Sequence, residues 1–213
     1  KQTLAKVRGN TDTSLSAPAL LMLPAAQRAR VLRHWVAGLG WPPLPAQGVA
    51  RIDVDLLGVG TERPARDRMP SFAWHGAEIR RWRDDLYAIE TGCELDTAWC
   101  CHWDGCAPLA LPNGDRLQLA GASGFPTPLL VHARRGGERI LLSNRGEHHH
   151  ALKHVLQEQG IPPWERERMP LISTADNGIL LAVADRIRSA GFEHWLQSQG
   201  AQLLWTRRPA PVG

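Results

Sequence analysis

The first candidates for chemistry in this chain are two clusters of potential metal ligands. His150, His154 and Glu158 are spaced by four residues, which would place them on one face of a helix. Two histidines and a carboxylate can hold zinc, but the glutamate that lies between the histidines of an H-E-x-x-H motif is absent. We therefore prefer a solvated polar face and predict no metal there.

The second cluster consists of Cys93, Cys100, Cys101, His102 and Cys106. No two of its cysteines have the Cys-x-x-Cys spacing of a zinc knuckle. Free cysteines in a loosely structured connector are the preferred interpretation. Because two of the cysteines are adjacent, they do not suit a simple disulfide framework, and we expect a reducing, cytoplasmic compartment.

Motifs that bind nucleotides or activate a nucleophile are not found in the sequence. It contains no G-x-x-x-x-G-K-[ST], no G-x-G-x-x-G and no G-x-S-x-G. No pair of carboxylates stands out either, so we predict no catalytic residue in this chain. No apolar run approaches the ~18 residues of a membrane span.

Arginine is the strongest functional signal that remains. The net charge is +4, and nearly all the basic residues are arginines, which bind phosphate through two parallel hydrogen bonds and stack on bases. The alternative is salt bridging to Glu138, Glu165 and Glu167, which are interleaved with the arginines. For the set as a whole we favour a phosphate-binding surface. The candidate contacts are Arg80, Arg81, Arg83, Arg134, Arg135, Arg139, Arg145, His149, Lys153, Arg166, Arg168, Arg207 and Arg208.

Hydrophobic spacing predicts an α+β protein with two small α+β domains. We assign residues 1–15 to a tether, 16–106 to a first domain with a connector, and 107–213 to a second domain. In the first domain, the apolar spacing predicts a helix from Pro24 to Leu39 and a second helix around Ile52. Three strands are expected to follow, at residues 72–74, 78–82 and 86–89. Arg81 and Arg83 would share one face of the second of these strands.

The second domain is expected to be rich in hairpins and to contain one main helix. Residues 109–119 predict a hairpin around a Pro-Asn-Gly turn. Residues 129–142 predict another, with a basic tip at Arg134-Arg135-Gly136-Gly137. The main helix is expected from about Glu147 to Gln159, followed by the Gly-Ile-Pro-Pro-Trp stop. Strands are expected on both sides of an Asp-Asn-Gly turn at 176–178, and again at 203–205.

Several segments resemble a known family. The stretches G-G-E-R-I, A-L-K-H-V-L-Q-E-Q-G-I-P-P-W and L-L-W-T-R-R-P resemble the C-terminal domain of bacterial tRNA(Ile)-lysidine synthetase. The stretches L-L-M-L-P-A-A-Q-R-A-R-V-L-R-H-W-V and R-M-P-S-F-A-W-H-G-A-E-I-R-R-W-R-D-D-L-Y resemble its middle, substrate-recognition domain. The resemblance extends from about Leu20 to Pro209. His148 to His150 stand where the family usually has basic and hydroxyl residues.

The resemblance implies a function in tRNA modification. Enzymes of this family use ATP to adenylate the wobble cytidine of the isoleucine tRNA with a CAU anticodon, and lysine then displaces AMP. That chemistry belongs to an N-terminal domain with a Ser-Gly-Gly-x-Asp-Ser loop, which this sequence lacks. Because the sequence starts at Lys1, we expect a fragment that recognises tRNA without catalysis. ATP and Mg²⁺ would then serve the catalytic domain, and the expected partners are the tRNA and that domain.

Two interpretations from other classes remain open. One is a metal-binding protein or hydrolase that uses His150, His154 and a set of cysteines, for which stoichiometric zinc would be the evidence. The other is a protein-interaction module whose arginines meet acidic partners, which would bind tRNA no better than heparin. The resemblance favours the tRNA-recognition interpretation over both.

Overall fold

The computed structural model describes residues 4, 6–11, 13–60, 70–143, 146 and 148–208. They divide into two compact units, of which the second comprises Cys93–Arg208. The boundary predicted from the sequence lies later, after Cys106. The difference arises because Cys100–Trp103, inside the predicted connector, is a strand that pairs with Leu129–His132 of the second unit.

Part of the first unit is helical. The helices described there are α1 (Ala17–Leu21), α2 (Ala25–Gly38) and α3 (Ala46–Arg51), and α3 continues into a wider π turn over Ile52–Leu56. Helix α2 forms where the apolar spacing predicts it, because Leu32, Trp35 and Val36 recur on one face and are buried there. The second predicted helix, around Ile52, is also confirmed.

A four-stranded antiparallel sheet completes the first unit. Its strands are β1 (Ser14–Ser16), β2 (Ser71–Trp74), β3 (Ala77–Trp82) and β4 (Asp85–Glu90), in the order β1-β4-β3-β2. The three predicted strands are therefore found. Strand β1 begins within the stretch that we assigned to a tether. Val7 and Leu15 are only 2% and 1% exposed, and this burial fixes their segment against the sheet.

The described residues of the second unit form two sheets and three helices. Its strands are β5 (Cys100–Trp103), β6 (Leu109–Ala110), β7 (Arg116–Ala120), β8 (Leu129–His132), β9 (Arg139–Leu141), β10 (His149–Ala151), β11 (Leu171–Thr174), β12 (Leu180–Val183), β13 (Ile187–Arg188) and β14 (Gln202–Thr206). The larger sheet has the order β10-β9-β12-β11-β8-β5, with β13 beside β12, and the smaller has the order β14-β7-β6. The helices are α4 (Leu152–Glu158), α5 (Pro163–Arg168) and α6 (Ala190–Ser198). The mixed α+β class is confirmed.

Two of the predicted hairpins in this unit are present, and one is not. Strands β6 and β7 pair around the Pro-Asn-Gly turn, and β11 pairs with β12. Strands β8 and β9 do not pair, because β12 and β11 lie between them in the sheet. An alternating apolar pattern determines which face of a strand is buried but not which strand lies beside it. Residues 134–138 therefore form a crossover rather than a hairpin tip.

The main predicted helix begins later than its sequence pattern suggests. His149–Ala151 forms β10, antiparallel to β9, and α4 starts only at Leu152. His150 therefore lies in a strand and His154 in the helix. The prediction that these histidines share one helix face is wrong, because strand pairing of the first residues takes precedence over their helical spacing.

Helix α6 was not predicted, and it makes three helices in this unit where one main helix was expected. Ser189 precedes it, and its hydroxyl accepts a hydrogen bond from the backbone N–H of Phe192, which stabilises the start of the helix. Phe192 and Leu196 are buried on its inner side. The core of this unit includes Leu117, Val131, Ile140, Leu152, Leu156 and Leu171, all at 0% exposure.

Candidate nucleic-acid interface

The arginine loop, residues 134–138 between β8 and β9, is organised by one carboxylate. Oε1 of Glu138 accepts hydrogen bonds from the backbone N–H groups of Arg135, at 2.6 Å, and Gly136, at 2.7 Å. Oε2 of Glu138 lies 3.6 Å from Nε of Arg134. Gly136 and Gly137 have φ of 92° and 84°, a conformation that favours glycine. The loop therefore has a defined shape.

Further basic groups flank this loop. Arg139 is exposed in β9 and donates a hydrogen bond to the backbone oxygen of His149, itself exposed in β10. Lys153 is exposed in the first turn of α4, where Leu152 N–H donates to the backbone oxygen of Glu138. The structure thus brings together five predicted contacts, which are Arg134 and Arg135 in the loop, Arg139 in β9, His149 in β10 and Lys153 in α4. Arg145 lies outside the described residues.

A second basic group is built around the buried side chain of Asp115. Nε and Nη2 of Arg168 donate to the two oxygens of Asp115, with Nε at 2.8 Å. The side chain of Asp115 is 0% exposed and that of Arg168 is 12% exposed. Hydrogen bonding to Asp115 raises the pKa of Arg168 despite its burial. The backbone N–H of Arg208 also donates to Asp115, at 3.0 Å.

Arg166 and Arg207 are two more predicted contacts in this second basic group. We call the whole group the carboxylate-bound cluster, and it consists of Arg166, Arg168, Arg207 and Arg208 with Asp115 and Glu165. Arg207 donates two hydrogen bonds to Glu165, and its guanidinium lies 5.0 Å from the ring centre of Trp205. Arg166 donates to the backbone oxygen of Ile161 at 2.7 Å. The end of the C-terminal strand thus places Arg207 and the backbone of Arg208 at the carboxylates of Glu165 and Asp115.

One segment connects the two basic groups. In the strap, which we define as Cys93–Trp99, the backbone oxygen of Cys93 accepts from Asn113, beside Asp115. Further along, the oxygen of Thr97 accepts from Nε of Arg135 at 3.1 Å. The backbone oxygens of Cys93 and Thr97 belong to residues four positions apart, so they lie at most about 14 Å from each other. The arginine loop with its flanking cations, the strap and the carboxylate-bound cluster form what we call the basic band.

The three predicted contacts of the first unit have different surroundings. Arg80 pairs with Glu78 at 2.8 Å, and Arg81 donates to the backbone oxygen of Leu56 at the end of the π turn. Arg83 lies in the turn after β3 with φ of 56°, and its guanidinium lies 4.4 Å from the ring centre of Trp82. The predicted shared strand face of Arg81 and Arg83 is wrong, because the chain leaves the strand at Trp82.

The predicted phosphate contacts are of two kinds, which differ in what their side chains bind and in how exposed they are. Where a guanidinium is held by a buried acid, as in Arg168, the bond contributes mainly to folding. Arg135 is exposed and is anchored through Nε at the backbone oxygen of Thr97, which is a form that suits a phosphate contact. The exposed candidates among the described residues are Arg83, Arg135, Arg139, His149, Lys153 and Arg207.

Trp164, in the first turn of α5, is buried, with 6% of its surface exposed. Within the described residues, no three His, Cys, Asp or Glu side chains are arranged to hold a metal ion.

The pKa of the Cys101 thiol is raised, mainly by its burial and further by the neighbouring Cys100. None of the helices that the structure describes is both long enough and apolar enough to cross a membrane.

Two features of the band were missed by sequence reasoning. Asp115 follows the Pro-Asn-Gly turn directly before β7, and no local pattern marks it as buried. The strap was assigned to a connector because it carries no hydrophobic period. Their roles depend on contacts with Arg168 and Arg135, which are 53 and 38 residues away in sequence. No local pattern reports contacts at that separation.

The two units correspond to two known domain families. Residues 15–87 match the family described as the TilS substrate binding domain, and residues 129–205 match the TilS substrate C-terminal domain. The two units are therefore substrate-binding domains of one kind of protein. The chain belongs to the tRNA(Ile)-lysidine synthetase (TilS) family.

Curated relatives named tRNA(Ile)-lysidine synthase extend over nearly the whole chain. The Xanthomonas axonopodis relative is 44% identical over 209 residues, covering 96% of this chain and 46% of the relative. The Coxiella burnetii relative is 32% identical, covering 94% and 44%. The chain thus spans less than half the length of these relatives. A solved structure titled as the TILS C-terminal domain aligns with 53% of this chain and 100% of that chain, at 25% identity and a TM-score of 0.39.

Proposed function

We propose that this chain is the tRNA-recognition portion of a tRNA(Ile)-lysidine synthetase and that the basic band binds tRNA phosphates. The membership of both units in substrate-binding families supports the general statement. The strap is the observation that most supports the basic band as the tRNA-binding surface, because it connects two arginine groups that lie far apart in sequence. An extended row of cations suits a backbone with regularly spaced negative charges.

The physical form of the band favours RNA that is read by its shape. A double-stranded RNA stem hides its base edges in a deep, narrow major groove, so a protein that docks on it reads phosphates and 2′-hydroxyls. Such docking requires arginine, lysine and backbone donors held in fixed positions. We propose that the second unit docks on the acceptor stem and that the first unit, through Arg83 and its neighbours, contributes to recognition nearer the anticodon arm.

The reaction of the whole protein is part of this proposal. ATP would adenylate the wobble cytidine of the tRNA with the CAU anticodon, and the lysine amine would then displace AMP to form lysidine. A separate catalytic domain would bind ATP and Mg²⁺ and carry the reacting groups. This chain would hold the tRNA for that domain, in the cytoplasm.

Binding across a salt series tests the proposal. The chain would be titrated with the isoleucine tRNA carrying the CAU anticodon, initiator tRNA, an unrelated RNA duplex and heparin. We expect the isoleucine tRNA to bind most tightly, with an affinity that falls steeply as salt rises. Equal binding to heparin would support the protein-interaction alternative. A folded chain that binds none of the RNAs would contradict the proposal.

A further inference from the structure

We infer that Glu138 is a positioning residue for RNA binding, an acid whose removal weakens the attraction of the basic band for a polyanion. This inference depends on the proposed function of the band. Glu138 lies among Arg134, Arg135 and Arg139, where simple electrostatics predicts that a negative charge opposes phosphate binding. The geometry points to the opposite effect.

The first reason is the set of contacts that Glu138 makes inside the loop. Its Oε1 accepts two successive backbone N–H groups, and its Oε2 faces Arg134 across 3.6 Å. Nε of Arg134 and Oε2 of Glu138 are both buried and make no hydrogen bond among the described residues. Each side chain thus depends on the other for compensation of its charge. The side chain of Glu138 is 13% exposed, so the carboxylate is part of the loop rather than its outer surface.

The second reason is that Glu138 connects the loop to α4. Its backbone oxygen accepts from Leu152 N–H at 2.9 Å, directly before Lys153. One residue therefore fixes the position of the arginine loop relative to the helix that carries the lysine. The relative placement of Arg135 and Lys153 determines whether both can reach phosphates of the same stem.

The third reason is the open space above the loop. A Cβ on Gly136 or on Gly137 would meet no atom of the described residues within 4 Å, so no part of the chain that the structure describes packs against these two positions. Arg135 is exposed there, with its Nε held by Thr97. An ordered loop with an open outer side can receive a phosphate backbone without rearranging, which lowers the entropic cost of binding.

The test compares three single variants in the tRNA titration. Glu138→Ala removes every side-chain contact, Glu138→Gln keeps an oxygen that can accept the two N–H groups, and Glu94→Gln removes the same charge from an exposed position in the strap. We expect Glu138→Ala to weaken binding at least about fivefold, Glu138→Gln to fall between it and the parent chain, and Glu94→Gln to bind equally or more tightly.

A measurement without RNA completes the test. Amide hydrogen exchange at Arg135 and Gly136 should accelerate in Glu138→Ala and remain closer to the parent rate in Glu138→Gln. Tighter binding by Glu138→Ala, or unchanged exchange at these two amides, would overturn the inference. If the parent chain itself fails to bind tRNA, the proposed function fails, while the exchange rates still decide whether Glu138 orders the loop.

Discussion

The guanidinium of Arg168 and the carboxylate of Asp115 form a two-pronged ion pair in which the acid is completely buried. The pair joins α5 to the start of β7 across 53 residues of sequence. Asp115 also accepts the backbone N–H of Arg208, so it fixes the chain at the end of β14. A residue that the sequence predicts as a phosphate contact therefore contributes to the framework of the second unit.

Arg168→Ala should destabilise the second unit by about 3–5 kcal/mol, because it leaves a buried carboxylate without its counter-charge. Urea denaturation measures the loss. Arg186→Ala is the matched control, since Arg186 is exposed in the same unit, and it should change stability by no more than about 0.5 kcal/mol. Similar losses in the two variants would show that the ion pair does not hold the unit together.

Replacing Arg135 and Lys153 together by alanine should weaken tRNA binding and reduce its dependence on salt. Each phosphate contact that is lost lowers the slope of log affinity against log salt by about 1, so the double variant should lose about 2. Arg186→Ala again provides the comparison, with an expected slope close to that of the parent chain. An unchanged slope in the double variant would exclude both residues from the contact surface.

Protonation of Glu78 in acid should make the first unit less stable. Burial raises the pKa of this carboxylate, but hydrogen bonds from Arg80 and Ser71 and the charge of Arg80 together bring it below its ordinary value of 4.5. A carboxylate with a lowered folded pKa stabilises the fold above its unfolded pKa, and this contribution disappears as the pH falls through the folded pKa. Thermal unfolding measured between neutral pH and pH 3 should show a smaller pH dependence in Glu78→Gln. Parallel curves for parent and variant would contradict this expectation.

Gly121→Ala should be more destabilising than Gly178→Ala, although both glycines have positive φ, of 88° and 68°. A Cβ on Gly121 would lie 2.5 Å from the backbone oxygen of Gly200, whereas one on Gly178 would meet no atom within 4 Å. The conformational strain of about 1–2 kcal/mol is common to both, and overpacking adds about 1–3 kcal/mol at Gly121. Chemical denaturation of the two variants measures the difference. Equal losses of stability in the two variants would mean that the backbone at Gly200, before strand β14, can move away from residue 121 at little cost in free energy.

The sequence by itself determined the elements whose patterns are local. The apolar spacing of Leu32, Trp35 and Val36 specifies helix α2, since a period of 3.6 residues can bury only one helix face. The Pro-Asn-Gly turn specifies the hairpin of β6 and β7, because its residues adopt the required backbone angles. The same local information contained the arginines and the resemblance on which the functional interpretation depends.

The tertiary structure alone decided which strands are neighbours and which cations are anchored. Strands β8 and β9 carry the same alternating pattern as a hairpin, yet β12 and β11 separate them, since alternation does not specify a partner. For the same reason His150 is drawn into β10, away from His154 in α4. The burial of Asp115 beside Arg168 results from packing between distant segments. Sequence composition can therefore identify a basic surface, but only the folded chain separates the arginines that are held by buried acids from those that are exposed.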